Sequence, residues 1–224
     1  MTLKAAAVTD LRALACPQLA LVADLPPPHP APRVFRHPDL EPGAVLLLRE
    51  HPSSAYAPRT GENARLADFT VALAADFETA GERLTAKLAA PRYACAGVFS
   101  HPQDAAQRLL CAMQGTDVRI LNVAGNGLYT LHRLGLGQAA VNAWVFRVLR
   151  LVHAQRPLCG VRSGGQTGVD CAALAASLAL GLPCEGLLPL GWRQRTRAGQ
   201  DVCADPDALA GTLLRWASRL RALD

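Results

Sequence analysis

The stretch Leu158-Cys-Gly-Val-Arg-Ser-Gly-Gly-Gln-Thr-Gly-Val-Asp170, continuing into Cys171-Ala-Ala-Leu-Ala-Ala-Ser-Leu-Ala-Leu180, constrains the fold more than any other part of the chain. A short apolar run enters a glycine-rich turn, and the turn opens onto an Ala/Leu-rich helical run. This is the order strand, glycine loop, helix N-terminus. The first amides of a helix have no intrahelical partner and lie at the positive end of its dipole. Glycines let that backbone approach a ligand closely, so the segment suits a phosphate or another oxyanion. Ser163, Gly164, Gly165, Gln166, Thr167 and Gly168 form the loop, and Asp170 falls in the first helical turn. Asp170 reads as a dipole-favoured carboxylate, or as a group facing a ribose or an attacking water. The segment matches neither the Walker pattern nor Gly-x-Gly-x-x-Gly. A tight strand-to-helix turn without a ligand is the alternative.

The flanking sequence repeats the alternation. Ala44–Leu48, Phe69–Ala74, Tyr93–Phe99, Val118–Ala124 and Pro183–Leu190 read as strands. Glu82–Ala90, His101–Met113, Gln138–His153 and Asp207–Leu223 read as helices, and Tyr56–Arg65 as a polar segment between strands. The fold class is therefore α/β: a Rossmann-like, doubly wound, mainly parallel sheet with helices on both faces. Such sheets bind ligands beyond the C-terminal ends of their strands. Here the strand exits are small and polar: Asp76–Gly81, Gly125-Asn126-Gly127 and the glycine loop. Leu25–Pro32 holds five prolines in eight residues and reads as a stiff extended connector. Residues 1–32 are thus expected to be an appendage and residues 33–224 the ligand-binding domain.

Composition excludes several classes. No apolar run reaches the roughly 18 residues of a membrane span, and the N-terminus makes a poor signal peptide, so a cytoplasmic location is expected. The seven cysteines are scattered without C-x-x-C spacing, which argues against zinc or a disulfide framework. His132 and His153 have no partners at ligand spacing, and no metal site is expected. The net charge is +5, yet the arginines are spread singly apart from Arg193, Arg195 and Arg197, which read as a solvated surface. The eleven aromatics do not interleave with basic residues, so a nucleic-acid partner is not expected. Trp192 reads as core rather than as a base-stacking platform.

Four blocks resemble the SLOG superfamily, and within it the circularly permuted YpsA-like proteins, also described as putative molybdenum carriers. They are Ser163–Leu174 with Leu180-Gly-Leu-Pro183 and Pro189–Trp192; Tyr56 through Arg59-Thr60 and Asn63 to Asp68-Phe-Thr-Val; Thr79-Ala-Gly-Glu-Arg-Leu-Thr85; and Leu121-Asn-Val-Ala-Gly125. In that branch the Gly-Gly-Gln-Thr-Gly block comes first, whereas here it comes last. The chain resembles the same sheet cut at another point, which a fold with neighbouring termini tolerates. The resemblance spans roughly residues 45–195.

The resemblance implies binding of a nucleotide or nucleotide-derived phosphorylated small molecule at the Ser-Gly-Gly-Gln-Thr-Gly loop, as sensor or carrier. Its alternatives are a nucleotide N-glycosidic (phosphoribo)hydrolase and a molybdenum-cofactor carrier. It also implies a homo-oligomer. The hydrolase branch carries Pro-Gly-Gly-x-Gly-Thr-x-x-Glu. This chain has Ser163 for the proline, a reversed Thr167-Gly168, and Cys171 where the glutamate would fall. Asp170, Glu62 and Glu78 are the carboxylates that could serve instead, since glycosidic cleavage needs one at the ribosyl centre. Arg59, Thr60 and Asn63 either clamp a phosphate or base, or belong to a helix cap. Thr79 and Gly81 form a second anion loop or a simple turn. Gly125 and Asn126 touch the ligand, or take left-handed turn geometry.

Overall fold

Short runs apolar on both faces can only be buried by covering both sides of a parallel sheet. The computed structural model, which describes residues 11–15 and 30–223, meets that demand. The elements in order are α1 (Leu11–Ala15), β1 (Arg33–Phe35), β2 (Leu46–Glu50), α2 (Tyr56–Leu66), β3 (Phe69–Ala74), α3 (Ala80–Ala89), β4 (Tyr93–Gly97), α4 (Pro102–Ala112), β5 (Ile120–Gly125), α5 (Leu128–Arg133), α6 (Gln138–Gln155), β6 (Gly160–Ser163), α7 (Val169–Ala179), β7 (Cys184–Leu188), β8 (Arg193–Arg195), β9 (Asp201–Cys203) and α8 (Pro206–Arg221). The main sheet has the order β1-β2-β7-β6-β5-β3-β4, with β1 antiparallel and the rest parallel. Among the described residues the architecture is the expected Rossmann-like α/β sandwich.

The two faces of the sheet differ. Leu46, Leu48, Val71, Leu73, Leu121, Val123 and Val161 join one apolar cluster with α4, α6, α7 and α8. All of α7 is buried, which accounts for its Ala/Leu sequence without a polar side. The stripe Val141, Val145, Val148 and Val152 of α6 is core, packed on α4 and α7. On the opposite face, which α1, α2 and α3 cover, alternation places Thr70, Asn122, Arg162, Glu185 and Arg49, and all five are buried. Here Arg49 Nε and Arg162 Nη1 pair with the two oxygens of Glu185 at 3.0 and 2.9 Å. Leu11 of α1 is fully buried against Val45, Leu47, Ala67 and Ile120, and Arg12 pairs with Asp68 at 2.7 Å. The proposed appendage and its proline-rich connector otherwise lie mainly outside the described residues.

Several elements depart from the sequence reading. The polar segment at 56–65 is helical, as α2. Pro58 sits in its first turn, where an amide is unpartnered anyway, and Gly61 lies close to Leu88 of α3. Arg59, Asn63 and Ala64 make its buried side. The short α5, whose Leu131 is core, and the β8–β9 hairpin, whose sequence is mostly polar, are further differences.

β3 leads into α3 on the polar face, while β5 leads through α5 into α6 on the apolar face. β3 and β5 are neighbours, so their exits diverge and leave a crevice at the C-terminal edge, as expected where connections change sides.

Candidate functional site

The crevice is a cavity of about 490 Å³, within the range of small-ligand sites. All four sequence blocks reach it. α2 contributes Arg59, Thr60 and Asn63; the start of α3 gives Thr79 and Gly81; β5 gives Gly125 and Asn126; the glycine loop gives Gly164, Gln166 and Asp170. Ser163, Gly165, Thr167 and Gly168 do not line it. Ser163 Oγ is buried and donates to Val123 O at 2.7 Å. Gly165 takes φ +69° with Leu188 packed against it. Gly168, at φ +91°, abuts the Asn126–Gly127 backbone, where a Cβ would collide. The Gln138 amide holds it from both sides, accepting from Gly168 N at 2.7 Å and donating to Gly168 O at 2.8 Å.

The glycine loop has a resident anion. Asp170 Oδ2 accepts from Gln166 N at 3.2 Å and lies 3.6 Å from Arg59 Nη1. A side chain at position 164 would collide with both groups, so the glycine there makes room for this ion pair. Burial pushes the Asp170 carboxyl up, against the pull of the Arg59 charge and the Gln166 amide. Burial likewise lowers the Arg59 guanidinium, opposed by Asp170.

The donors expected from Gln166 and Thr167 are used by the chain itself. Gln166 donates to Arg193 O at 2.8 Å and accepts from Arg195 N at 2.9 Å. Thr167 Oγ1 donates to Arg195 O at 2.6 Å. The loop thereby fixes the hairpin as one wall of the site, and Arg195 lines the cavity. Arg193 and Arg195 share Asp201 at 2.7 and 2.9 Å and approach the Tyr56 ring at 5.9 and 5.6 Å. Two of the three clustered arginines are therefore built into the rim rather than merely solvated. Trp192 packs against the core, as its sequence context suggested.

Asn126 ties the two diverging strand exits together. Its Oδ1 accepts from Ala75 N and Asp76 N, both at 2.8 Å, and its Nδ2 donates to Asp76 O at 2.9 Å and to Glu82 Oε1 at 3.3 Å. Among the described non-glycine residues only Trp192 has positive φ, so left-handed geometry is not what Asn126 supplies.

Glu82 is the carboxylate that sequence reasoning missed. It is 5% exposed and lines the cavity. Burial, the charge of Asp170 and the charge of Asp76 push it up to about 8, against the hydrogen bond from Asn126. Glu62 does not line the cavity; it lies 3.6 Å from His51. Glu78 is exposed and pairs with Arg83. The signal for Glu82 was present but pointed elsewhere. Thr79-Ala-Gly-Glu82 has capping-box spacing, and Thr79 Oγ1 does cap Glu82 N at 3.3 Å. The carboxylate, however, turns to Asn126 and the cavity.

Among the described residues, four buried side-chain atoms lack a hydrogen-bond partner: Arg59 Nε, Asn63 Oδ1, Glu82 Oε2 and Arg162 Nε. The first three belong to residues that line this cavity. No described helix is long and apolar enough to cross a membrane. The family described as circularly permutated YpsA SLOG matches residues 161–200. No curated protein and no solved structure matches the chain. The matched residues run from β6 through the glycine loop, α7 and β7 into the hairpin that the loop holds, and over this segment the chain is similar to the circularly permutated YpsA family of the SLOG superfamily.

Proposed function

We propose that the crevice binds a nucleotide or nucleotide-derived phosphorylated small molecule, as sensor or carrier, with the glycine loop at its floor. The observation that carries this reading is the set of three unpartnered buried atoms around one cavity: a donor on Arg59, an acceptor on Asn63 and the second oxygen of Glu82. A buried polar atom without a partner costs roughly 1–3 kcal/mol. A ligand offering the complementary groups recovers that cost. The lining also carries Tyr56, Tyr129, Asn122 and Asn126, which suits a heterocycle with several donors and acceptors. A pterin is such a heterocycle, so the same lining fits a molybdenum cofactor held through its organic part.

The test is mass spectrometry of small molecules released on denaturing the purified protein, followed by a thermal-shift screen of nucleotides. A nucleotide found or stabilising is the expected result; a pterin with molybdenum would transfer the reading to the carrier. Silence in both measurements would refute ligand binding here.

A second reading, N-glycosidic hydrolysis, is favoured by one observation: Asp170 is a buried carboxylate in the cavity wall. Water would add across the bond, its hydroxyl to the ribosyl carbon and its proton to the departing base, while Asp170 faces the cationic centre. Base release that is lost in Asp170→Asn would support it, and no turnover across a nucleotide panel would refute it.

A further inference from the structure

Two sets of backbone amides lie at or just behind the cavity wall, and they are used differently. In the glycine loop, Gln166 N donates to Asp170, Gly168 N to Gln138, and Val169 N to Asn126 O. That loop already holds an anion, and the anion is the chain's own carboxylate. At the start of α3, Thr79 Oγ1 takes Glu82 N and Thr79 O takes Arg83 N. Ala80 and Gly81 are the first residues of this ten-residue helix, where amides have no intrahelical partner, and both line the cavity. Apart from its chain neighbours and the backbone of its own helix, no heavy atom lies within 4 Å of the position a Cβ would take on Gly81.

The side chains around this second set point the same way. Arg59 lines the same cavity with its side chain 9% exposed. One of its terminal nitrogens faces Asp170, and its Nε has no partner. An ionised Glu82 in the first turn would repel an anion, but burial and the neighbouring Asp170 keep its carboxyl up to about 8, so it is protonated at pH 7. Its free oxygen can then donate.

We propose that the anionic group of the ligand, a phosphate monoester in chemistry, is held at the N-terminus of α3 by the Ala80 and Gly81 amides with Arg59 Nε, and not inside the glycine loop. The inference rests on the nucleotide reading above and assigns the two ends of the site. The phosphate lies against α3, and the remainder of the ligand extends toward the glycine loop and the hairpin.

The experiment uses the full chain, ¹⁵N-labelled, at pH 7, with the common ribonucleoside 5′-monophosphates and their parent nucleosides as probes. The monophosphates are expected to bind at least about tenfold more tightly than the nucleosides, as a charge-assisted site requires. The largest amide shifts should fall on Ala80, Gly81 and Glu82. Gly81→Asp places a carboxylate where a helix start welcomes one, so the fold is retained. It should weaken monophosphate binding by about tenfold or more, whereas Gly81→Asn should not. Shifts concentrated on Gly164 to Gly168, with Gly81→Asp binding as well as wild type, would overturn this assignment and leave the nucleotide reading standing. Failure of every probe to bind would overturn the nucleotide reading itself.

Discussion

The two faces of the central sheet bury comparable lengths of strand by opposite means. One face is continuous hydrocarbon, with Leu121, Val123 and Val161 against the wholly buried α7. The other carries Thr70, Asn122, Arg162, Glu185 and Arg49, all buried. Burying charge is costly unless each group is paired and hydrogen-bonded. On the polar face this is achieved by the Arg49–Glu185–Arg162 triad and by the Asn122 to Thr70 hydrogen bond at 3.2 Å. The apolar face supplies stability, and the polar face supplies a floor of fixed donors and acceptors that ends in the cavity. Asn122 belongs to both, being buried beside the ionic triad and lining the site.

The difference can be broken at the centre of the buried triad, Glu185. Glu185→Leu leaves two buried guanidinium groups without their carboxylate and should cost about 3–5 kcal/mol, read by urea unfolding. The matching cut on the apolar face, Leu174→Ala in α7, removes buried hydrocarbon and should cost about 2–5 kcal/mol, with ligand affinity retained. If both variants lost affinity equally, the division of labour between the faces would not hold.

Glu82 sharpens the contrast through pH. Its folded-state pKa is raised from 4.5 to about 8, so the native state holds the proton more tightly than the unfolded chain. The contribution is full below about pH 4.5 and is lost as pH rises through about 8. Burial is the main cause, the charges of Asp170 and Asp76 add to it, and the hydrogen bond from Asn126 opposes it. Glu82→Gln should flatten this slope and gain on the order of a few kcal/mol at pH 9; an unchanged slope would remove Glu82 as its source. The smallest expected effect is at the α3 cap. Thr79→Ala should cost about 1 kcal/mol, and Thr79→Ser should restore it.

Legibility in the sequence followed the same division. The strands and α7 could be read because hydrocarbon length and period report burial directly. α2 could not, because its buried side is Arg59, Asn63 and Ala64, two of them polar, interrupted by Pro58 and Gly61. The glycine loop was visible as a loop, but its occupant was not. Asp170 lies within a few residues of the loop, whereas Arg59 arrives from more than a hundred residues away. Glu82 was obscured by a local motif that assigns its carboxylate a capping role. The hairpin was obscured because Gln166, outside it, supplies the hydrogen bonds that hold it.

That last contact has a mechanical consequence. Through both ends of its amide Gln166 pairs with Arg193 and Arg195 as a neighbouring strand would, and Thr167 adds a third tie. Floor and rim therefore form one body. A displacement of the glycine loop carries Arg195 with it, and the width of the cavity mouth is geared to the position of the loop beneath it.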